Sequence, residues 1–234
     1  ENVELPPPEE DYDPSPYKWG FIDREGKQVI PARFDEARSF SEGMAVVRQG
    51  GKWGYIDREG NIVIPLRFRA AWSFSEGLAR VQTFEGKMGF VNQKGEWAVD
   101  PEFEEVQDFS HGLARVRIED QYGYIDRQGK LRIAAEFQNA GPVFEKGYAK
   151  IQQQGAYGLI DTTGQRIIPA RYQRVNTFRD GLARVKQEGR YGFVNRRGEV
   201  VIPVDFSNAG DFHNGLAPAK QEDRYGLIDA SGAF

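Results

Sequence analysis

The stretch Lys-Trp-Gly-Phe-Ile-Asp-Arg-Glu-Gly-Lys-Gln-Val-Ile-Pro, residues 18–31, recurs along this chain at a nearly constant spacing. Its aromatic–glycine pair returns every 34 or 35 residues, and methionine replaces the aromatic residue in one copy. The seven pairs begin at Trp19, Trp53, Met88, Tyr122, Tyr157, Tyr191 and Tyr225. A fixed period of this length predicts a tandem-repeat protein.

Two further glycines mark each copy of the repeat. One follows the turn residue Asp or Asn by three positions, as in Asp23 and Gly26. The other lies three positions after a phenylalanine, as in Phe40 and Gly43, and we call it the third glycine. Asp-x-x-Gly is typical of a β-turn in which glycine takes a positive φ. The glycines, 27 of 234 residues, therefore indicate regular turns.

Glycine and proline exclude the helical tetratricopeptide repeat, which has a similar period. Each internal glycine would cost a helix about 1 kcal/mol and each proline about 3 kcal/mol. Prolines occupy one equivalent position in four copies: Pro31, Pro65, Pro169 and Pro203. We instead predict three short strands per repeat, near residues 19–22, 28–30 and 45–48 of the first copy, with an irregular connection over 31–43.

The predicted fold is all-β, a tandem array of six to seven three-stranded antiparallel repeats over residues 17–234. Repeats begin near residues 17, 51, 86, 121, 156 and 190, and a partial copy begins near 224. The first strand is predicted seven times along the chain and each of the other two strands six times. This surplus favours an open, solenoid-like array over a closed, propeller-like toroid. Since no linker interrupts the array, we expect one cooperative unit.

Residues 1–16 form a separate acidic segment, with six acidic residues, five prolines and no Lys or Arg. Proline removes backbone donors and like charges repel, so we predict an extended segment. The remainder has 31 basic and 29 acidic residues, the 35 acids of the chain less these six. This near-neutral balance disfavours a nucleic-acid partner.

The sequence gives only indirect evidence on the cellular location of the protein. No run approaches the 18 apolar residues of a membrane span, so no transmembrane segment is predicted. The chain opens on Glu1, as a mature exported protein would. We expect an exported protein, periplasmic, surface-bound or extracellular, with a cytoplasmic protein as the alternative.

The repeat motif resembles that of the bacterial WG (KWG) repeat family over residues 17–229. The resemblance rests on aromatic-Gly-aromatic-Ile-Asp-x-x-Gly, Ile-Pro and Gly-Leu-Ala, which recur together in this order. It implies a β-repeat fold with no general catalytic activity and no cofactor. The chain departs from the motif at Met88, Asp100, Ala134 and Pro218.

The sequence predicts no catalytic, metal or cofactor site. Cysteine is absent, and the two histidines, His111 and His213, occupy non-equivalent repeat positions. Neither a zinc site nor a nucleophilic triad can be assembled from this set. The repeated turn carboxylates could be read as calcium ligands, but calcium takes six to eight oxygens and each turn offers one carboxylate. Closure of the turn by its own Asp or Asn explains them better.

Two groups of residues are candidates for ligand binding. Trp72 and Trp97 break the repeat pattern, so each either stacks on a sugar or peptide or fills a gap in the core. Cations occupy one position in four consecutive repeats, and we call them the cationic stripe: Arg80, Arg115, Lys150 and Arg184. The stripe either binds an acidic polymer or packs on aromatic rings.

The hairpin register favours the structural interpretation of the stripe. Counting back from the Glu188-Gly189 loop places Lys186 opposite Tyr191 and Arg184 opposite Phe193. The predicted function is a non-catalytic protein-interaction or scaffolding module that presents a repetitive β surface to a protein or cell-envelope polymer. The alternative is an adhesin that binds carbohydrate or another cell-envelope polymer.

Overall fold

The computed structural model describes residues 16–142 and 144–234. Residues 1–15 of the predicted acidic segment lie outside this part of the chain. Every regular element of the described residues is a β-strand, and strands of four kinds recur in a constant order. We name them first, second, short and third strands.

The first strands contain the aromatic–glycine pair, and the second strands contain the Ile-Pro position. The first strands are β1 (Trp19–Ile22), β5 (Lys52–Ile56), β9 (Met88–Asn92), β13 (Gln121–Ile125), β17 (Ala156–Asp161), β21 (Arg190–Asn195) and β25 (Arg224–Ile228). The second strands are β2 (Gln28–Phe34), β6 (Ile62–Phe68), β10 (Trp97–Phe103), β14 (Leu131–Phe137), β18 (Arg166–Tyr172) and β22 (Val200–Phe206).

The short strands have two residues each, and the third strands follow the third glycine. The short strands are β3 (Glu36–Ala37), β7 (Ala70–Ala71), β11 (Glu105–Val106), β15 (Asn139–Ala140), β19 (Arg174–Val175) and β23 (Asn208–Ala209). The third strands are β4 (Ala45–Gln49), β8 (Leu78–Gln82), β12 (Ala114–Ile118), β16 (Tyr148–Gln153), β20 (Leu182–Gln187) and β24 (Ala217–Gln221).

The second strand continues past the proline, further than the sequence predicts. In the first repeat Phe21 pairs with Ile30 and Trp19 pairs with Phe34, so the second strand advances four residues while the first advances two. This bulge contains Pro31. A bulge leaves backbone groups out of the ladder, so proline is tolerated there.

The rest of the predicted irregular connection is also ordered. Glu36 of the short strand pairs with Arg48 of the third strand, which adds a fourth strand to the three predicted. Glu42 and Gly43 then form a two-residue turn with φ of 51° and 87°. Two positive φ values are typical of a type I′ hairpin. The third glycine is therefore a hairpin residue.

Each complete sheet draws its strands from two successive repeats. In the sheet β3–β4–β5–β6, the short and third strands belong to one repeat and the first and second strands to the next. The pairings are antiparallel. The predicted all-β tandem array of antiparallel repeats is confirmed. The described residues contain no helix that is long and apolar enough to cross a bilayer.

The chain divides into two compact units. The first contains the described residues up to Val116 together with Asp126–Lys130, and the second contains Arg117–Ile125 and Leu131–Phe234. Sheets β1–β2, β3–β6 and β7–β10 lie in the first unit. Sheets β15–β18, β19–β22 and β23–β25 lie in the second, as does the pair β13–β14.

A repeated aromatic contact organises the core of each unit. The residue directly after the first-strand glycine packs against the phenylalanine that precedes the third glycine. Tyr55 meets Phe74 in this way in the first unit, with ring centroids 5.1 Å apart. In one repeat of the second unit the first-strand position holds Leu159, and Phe178 packs instead against Tyr148 of the third strand at 4.8 Å.

Candidate binding site

The turn carboxylates accept hydrogen bonds from the backbone of their own turns. Asp57 Oδ1 accepts hydrogen bonds from the backbone N–H groups of Glu59 and Asn61 at 3.0 and 2.8 Å. A hydrogen bond from the Asn61 side chain is the largest of the causes that hold the pKa of Asp57 below its usual value. Within the described part of the chain, no three His, Cys, Asp or Glu residues form a group that could hold a metal ion.

Trp72 and Arg80, two of the predicted site residues, are in contact. The Arg80 guanidinium lies 4.4 Å from the centroid of the Trp72 ring. It also donates to the Val106 carbonyl at 3.0 Å and lies 2.8 Å from a carboxylate oxygen of Asp108. Only 14% of the Arg80 side chain is exposed. One face of the Trp72 ring is therefore covered by the protein itself.

The ion pair between Arg80 and Asp108 offsets the cost of its own burial. Burial lowers the pKa of Arg80, and the charge of Asp108 opposes this shift. Burial raises the pKa of the Asp108 carboxyl, and Arg80 opposes that shift in turn. Each group stabilises the charged form of the other.

Trp97 takes a different position from Trp72. Its ring meets Phe68 edge-on, with centroids 6.0 Å apart and an interplanar angle of 78°. The side chain remains 37% exposed. Phe234 occupies the equivalent place in the last repeat and meets Phe206 at 6.2 Å. This repetition gives Trp97 a packing role.

Two more arginines of the cationic stripe are neutralised by carboxylates. Arg115 pairs with Glu105 at 2.6 Å and is 11% exposed. Arg184 lies 3.2 Å from a carboxylate oxygen of Asp211 and donates to the Ala209 carbonyl. Its guanidinium also lies 5.6 Å from the Tyr191 ring centroid. The positive charges of both side chains are therefore neutralised by carboxylates of the protein itself.

The hairpin register predicted for the stripe is confirmed. Arg184 lies opposite Phe193 and Lys186 opposite Tyr191. The carboxylate partners were not predicted. Asp108 and Asp211 both lie four residues before the third glycine, in the repeat that follows their arginine. The shared position was visible in the sequence, but contact between repeats was not.

Lys150, the remaining residue of the stripe, differs from the three arginines. Its side chain is exposed, and no carboxylate of the described residues lies within ion-pair distance. It borders a cleft of about 380 Å³ in the second unit. The cleft is lined by Gly141, Glu145, Tyr148, Lys150, Asn176, Thr177, Arg179 and Asp211.

Hydrogen bonds hold both walls of this cleft. Glu145 accepts from the Thr177 hydroxyl and from Arg179, each at 2.9 Å. On the other wall, the Asn176 side-chain amide donates to both carboxylate oxygens of Asp211 at 2.9 and 3.0 Å. The lining side chains are thus oriented by one another, so the cleft has a defined polar surface.

The strand pattern defines an all-β tandem-repeat protein, and comparison with known families agrees. A family model described as "WG containing repeat" matches residues 19–53, 53–87, 88–122, 122–155, 157–191 and 191–225. The chain belongs to this family, which confirms the resemblance seen in the sequence. No curated protein matches the sequence.

Solved structures show only distant likeness to the chain. The computationally designed Ika8 protein has 12% identity and a TM-score of 0.41, with 89% of this chain and 76% of that chain covered. A structure described as the eukaryotic initiation factor has 11% identity and a TM-score of 0.47, with 92% and 69% covered. At these scores the likeness assigns neither fold nor function.

Proposed function

We propose that the chain is a non-catalytic protein-interaction or scaffolding module. Its contact surface is an arginine–tryptophan patch in the first unit, in which Arg38 and Trp72 reach the surface above the buried Trp53 and the largely buried Arg80. The observation that carries this proposal is the stacking of arginine on tryptophan in consecutive repeats. The Arg38 guanidinium lies 4.8 Å from the Trp53 centroid, and that of Arg80 lies 4.4 Å from Trp72.

The composition of the patch fits a protein partner. Arginine and tryptophan are enriched among the residues that dominate protein–protein binding energies, because they offer large planar surfaces together with hydrogen-bond donors. Backbone contacts hold both arginines, since Arg38 donates to the Ala71 carbonyl at 2.9 Å and Arg80 to that of Val106. A preorganised surface binds at a lower entropic cost.

The charge of the patch favours an acidic partner surface. Arg38 is exposed, and its charge contributes to lowering the pKa of Arg80. Asp108 neutralises Arg80. Arg38 remains available to a carboxylate of the partner, which complements its charge.

Cross-linking capture from a source extract, followed by binding measurements with the purified captured protein, tests this proposal. We expect the double variant Arg38→Ala, Trp72→Ala to lose the partner that the unchanged chain binds. Arg58→Ala is the matched control, because Arg58 is an exposed turn residue of the same unit. Equal binding by the double variant and the control would refute the patch.

A glycan screen separates the proposal from the adhesin alternative. Specific binding to a neutral glycan that is lost in Trp72→Ala or Trp97→Ala would favour the adhesin. The contact of Trp72 with Arg80 argues against it, since Arg80 already covers one of the two ring faces on which a sugar could stack. An exported location remains part of the proposal, and fractionation of expressing cells tests it.

A further inference from the structure

Lys150 is the residue of the cationic stripe for which no carboxylate partner is found among the described residues, whereas Arg115 pairs with Glu105. Arg80 pairs with Asp108 and Arg184 with Asp211, each partner lying four residues before the third glycine of the following repeat. For Lys150 the corresponding residue is Thr177. A neutral hydroxyl therefore stands where the repeats that follow Arg80 and Arg184 place a carboxylate.

The ammonium of Lys150 consequently lacks an internal counter-charge. Thr177 cannot supply one, and its hydroxyl already donates to Glu145. Glu145 is itself paired with Arg179, and Asp211 is held by Asn176 and lies beside Arg184. Both carboxylates of the cleft are thus engaged by other groups, while the Lys150 charge faces the cleft.

The cleft also offers neutral hydrogen-bonding groups beside this charge. Tyr148 stands where other repeats carry Met or Leu, and the packing of its ring on Phe178 fixes its place. Its hydroxyl has no hydrogen-bond partner among the described residues. The Asn176 amide is anchored through its nitrogen, so its carbonyl oxygen is available as an acceptor.

We propose that this cleft binds a carboxylated sugar, with the carboxylate of a uronate residue paired to Lys150 in the way that Asp108 pairs with Arg80. Sugar hydroxyls both donate and accept, which matches the Tyr148 hydroxyl and the Asn176 carbonyl. The volume of about 380 Å³ lies within the usual range for small-molecule sites. This site lies in the second unit and is independent of the proposed protein-binding patch.

An NMR titration with methyl β-D-glucuronide and methyl β-D-glucoside tests the site, because the two probes differ only in the carboxylate. We expect the glucuronide to shift the backbone amides of residues 148–150 and 176–177. A charge-assisted hydrogen bond is strong enough that the glucoside should bind at least about tenfold more weakly. Equal binding of the two sugars would overturn the proposal.

Three variants assign the effect to Lys150. Lys150→Gln should abolish the preference for the glucuronide, and Thr177→Asp should abolish binding by restoring the internal partner. Lys146→Gln removes a charge from the same repeat outside the cleft lining and should bind like the unchanged chain. Thermal melting confirms that each variant is folded.

Two results would contradict the assignment. Retained preference for the glucuronide in Lys150→Gln would show that the lysine is not the carboxylate ligand. Equally tight binding of N-acetylglutamate N-methylamide would show that the cleft accepts an acidic peptide side chain and does not select a sugar. Weaker binding of this peptide probe supports the proposal.

Discussion

The glycine of the aromatic–glycine pair lies directly beneath the bulge of the second strand. A Cβ atom at Gly192 would lie 2.7 Å from the Cα of Val204 and 2.8 Å from the carbonyl oxygens of Ile202 and Pro203. These are backbone atoms, which cannot rotate away. The glycine and the Ile-Pro position are therefore two parts of one contact, although about ten residues separate them in sequence.

We predict that Gly192→Val lowers the free energy of unfolding by about 1–3 kcal/mol through overpacking. Chemical denaturation measures the change. Gly226→Val is the matched control, because a Cβ there would meet the movable ring of Phe234 and no backbone. It should destabilise less. A neutral Gly192→Val would show that the bulge can shift away from the first strand.

The turn carboxylates should contribute to the loss of folding stability at acidic pH. Hydrogen bonds, first of all from the Asn61 side chain, lower the pKa of Asp57, and that of Asp229 is lowered chiefly by the Ser231 hydroxyl. A lowered folded-state pKa contributes stability that is present above the unfolded value, about 3.9 for Asp, and is lost as the pH falls through the folded value.

We therefore expect the double variant Asp57→Asn, Asp229→Asn to lose less unfolding free energy than the unchanged chain between pH 5 and acidic pH. Asparagine preserves the turn, since Asn92 Oδ1 accepts from the backbone N–H groups of Lys94 and Glu96 at 2.9 and 3.1 Å. Asn195→Asp is the converse variant and should steepen the loss. Identical pH dependence in all three chains would contradict the prediction.

At the scale of the element, the sheet tolerates departures from the motif because its hydrogen bonds do not depend on them. Asp100 replaces the proline of β10, yet Val99 still pairs with Phe90. Ala134 replaces the proline of β14, and Ile133 still pairs with Tyr124. The bulge therefore forms whether or not proline is present at this position. Proline is tolerated in the bulge but does not cause it.

The third strands add ion pairs between repeats, and Arg184 is the test case. It contacts Asp211, the Ala209 carbonyl and the ring of Tyr191. We predict that Arg184→Gln lowers the free energy of unfolding by about 1–2 kcal/mol, because the partly buried guanidinium loses its contacts with Asp211, the Ala209 carbonyl and the Tyr191 ring together. Thermal and chemical denaturation measure this change.

Arg166→Gln is the control for this prediction, since the pair of Arg166 with Glu136 is exposed. Exposed pairs contribute less than about 1 kcal/mol. If Arg184→Gln leaves stability unchanged while binding to an anionic glycan is lost with a steep salt dependence, the stripe is a ligand site and its structural role is wrong.

At the scale of the whole molecule, the boundary between the two units is not a linker. Asp126–Lys130 belongs to the first unit, whereas the residues directly before and after it belong to the second. The chain passes from one unit to the other three times between residues 116 and 131. The first of these crossings lies within β12 (Ala114–Ile118), and the other two flank the turn that follows β13 (Gln121–Ile125).

We therefore predict that the array unfolds in a single cooperative transition. Calorimetric and van't Hoff enthalpies should agree, and tryptophan fluorescence should report the same midpoint as far-UV circular dichroism. All four tryptophans lie in the first half of the chain, so fluorescence follows that half specifically. Two resolved calorimetric transitions, or a fluorescence midpoint apart from that of circular dichroism, would disprove cooperativity.

The sequence by itself determined the period, the all-β class, the Asp-x-x-Gly turns and the register of the third-to-first hairpins. These features depend on the local backbone. Glycine marks positive φ, proline excludes helix, and a two-residue loop sets which residues face each other across a hairpin. The opposition of Arg184 and Phe193 follows from the Glu188-Gly189 loop in this way.

Only the tertiary structure decided the fourth strand, the sharing of each sheet between two repeats, and the partners of the cationic stripe. The pairing of Arg80 with Asp108 and the cleft around Lys150 join residues of successive repeats. Their meeting depends on how neighbouring repeats pack together. The periodicity of the sequence does not report how neighbouring repeats pack. These contacts are therefore seen only in the three-dimensional structure.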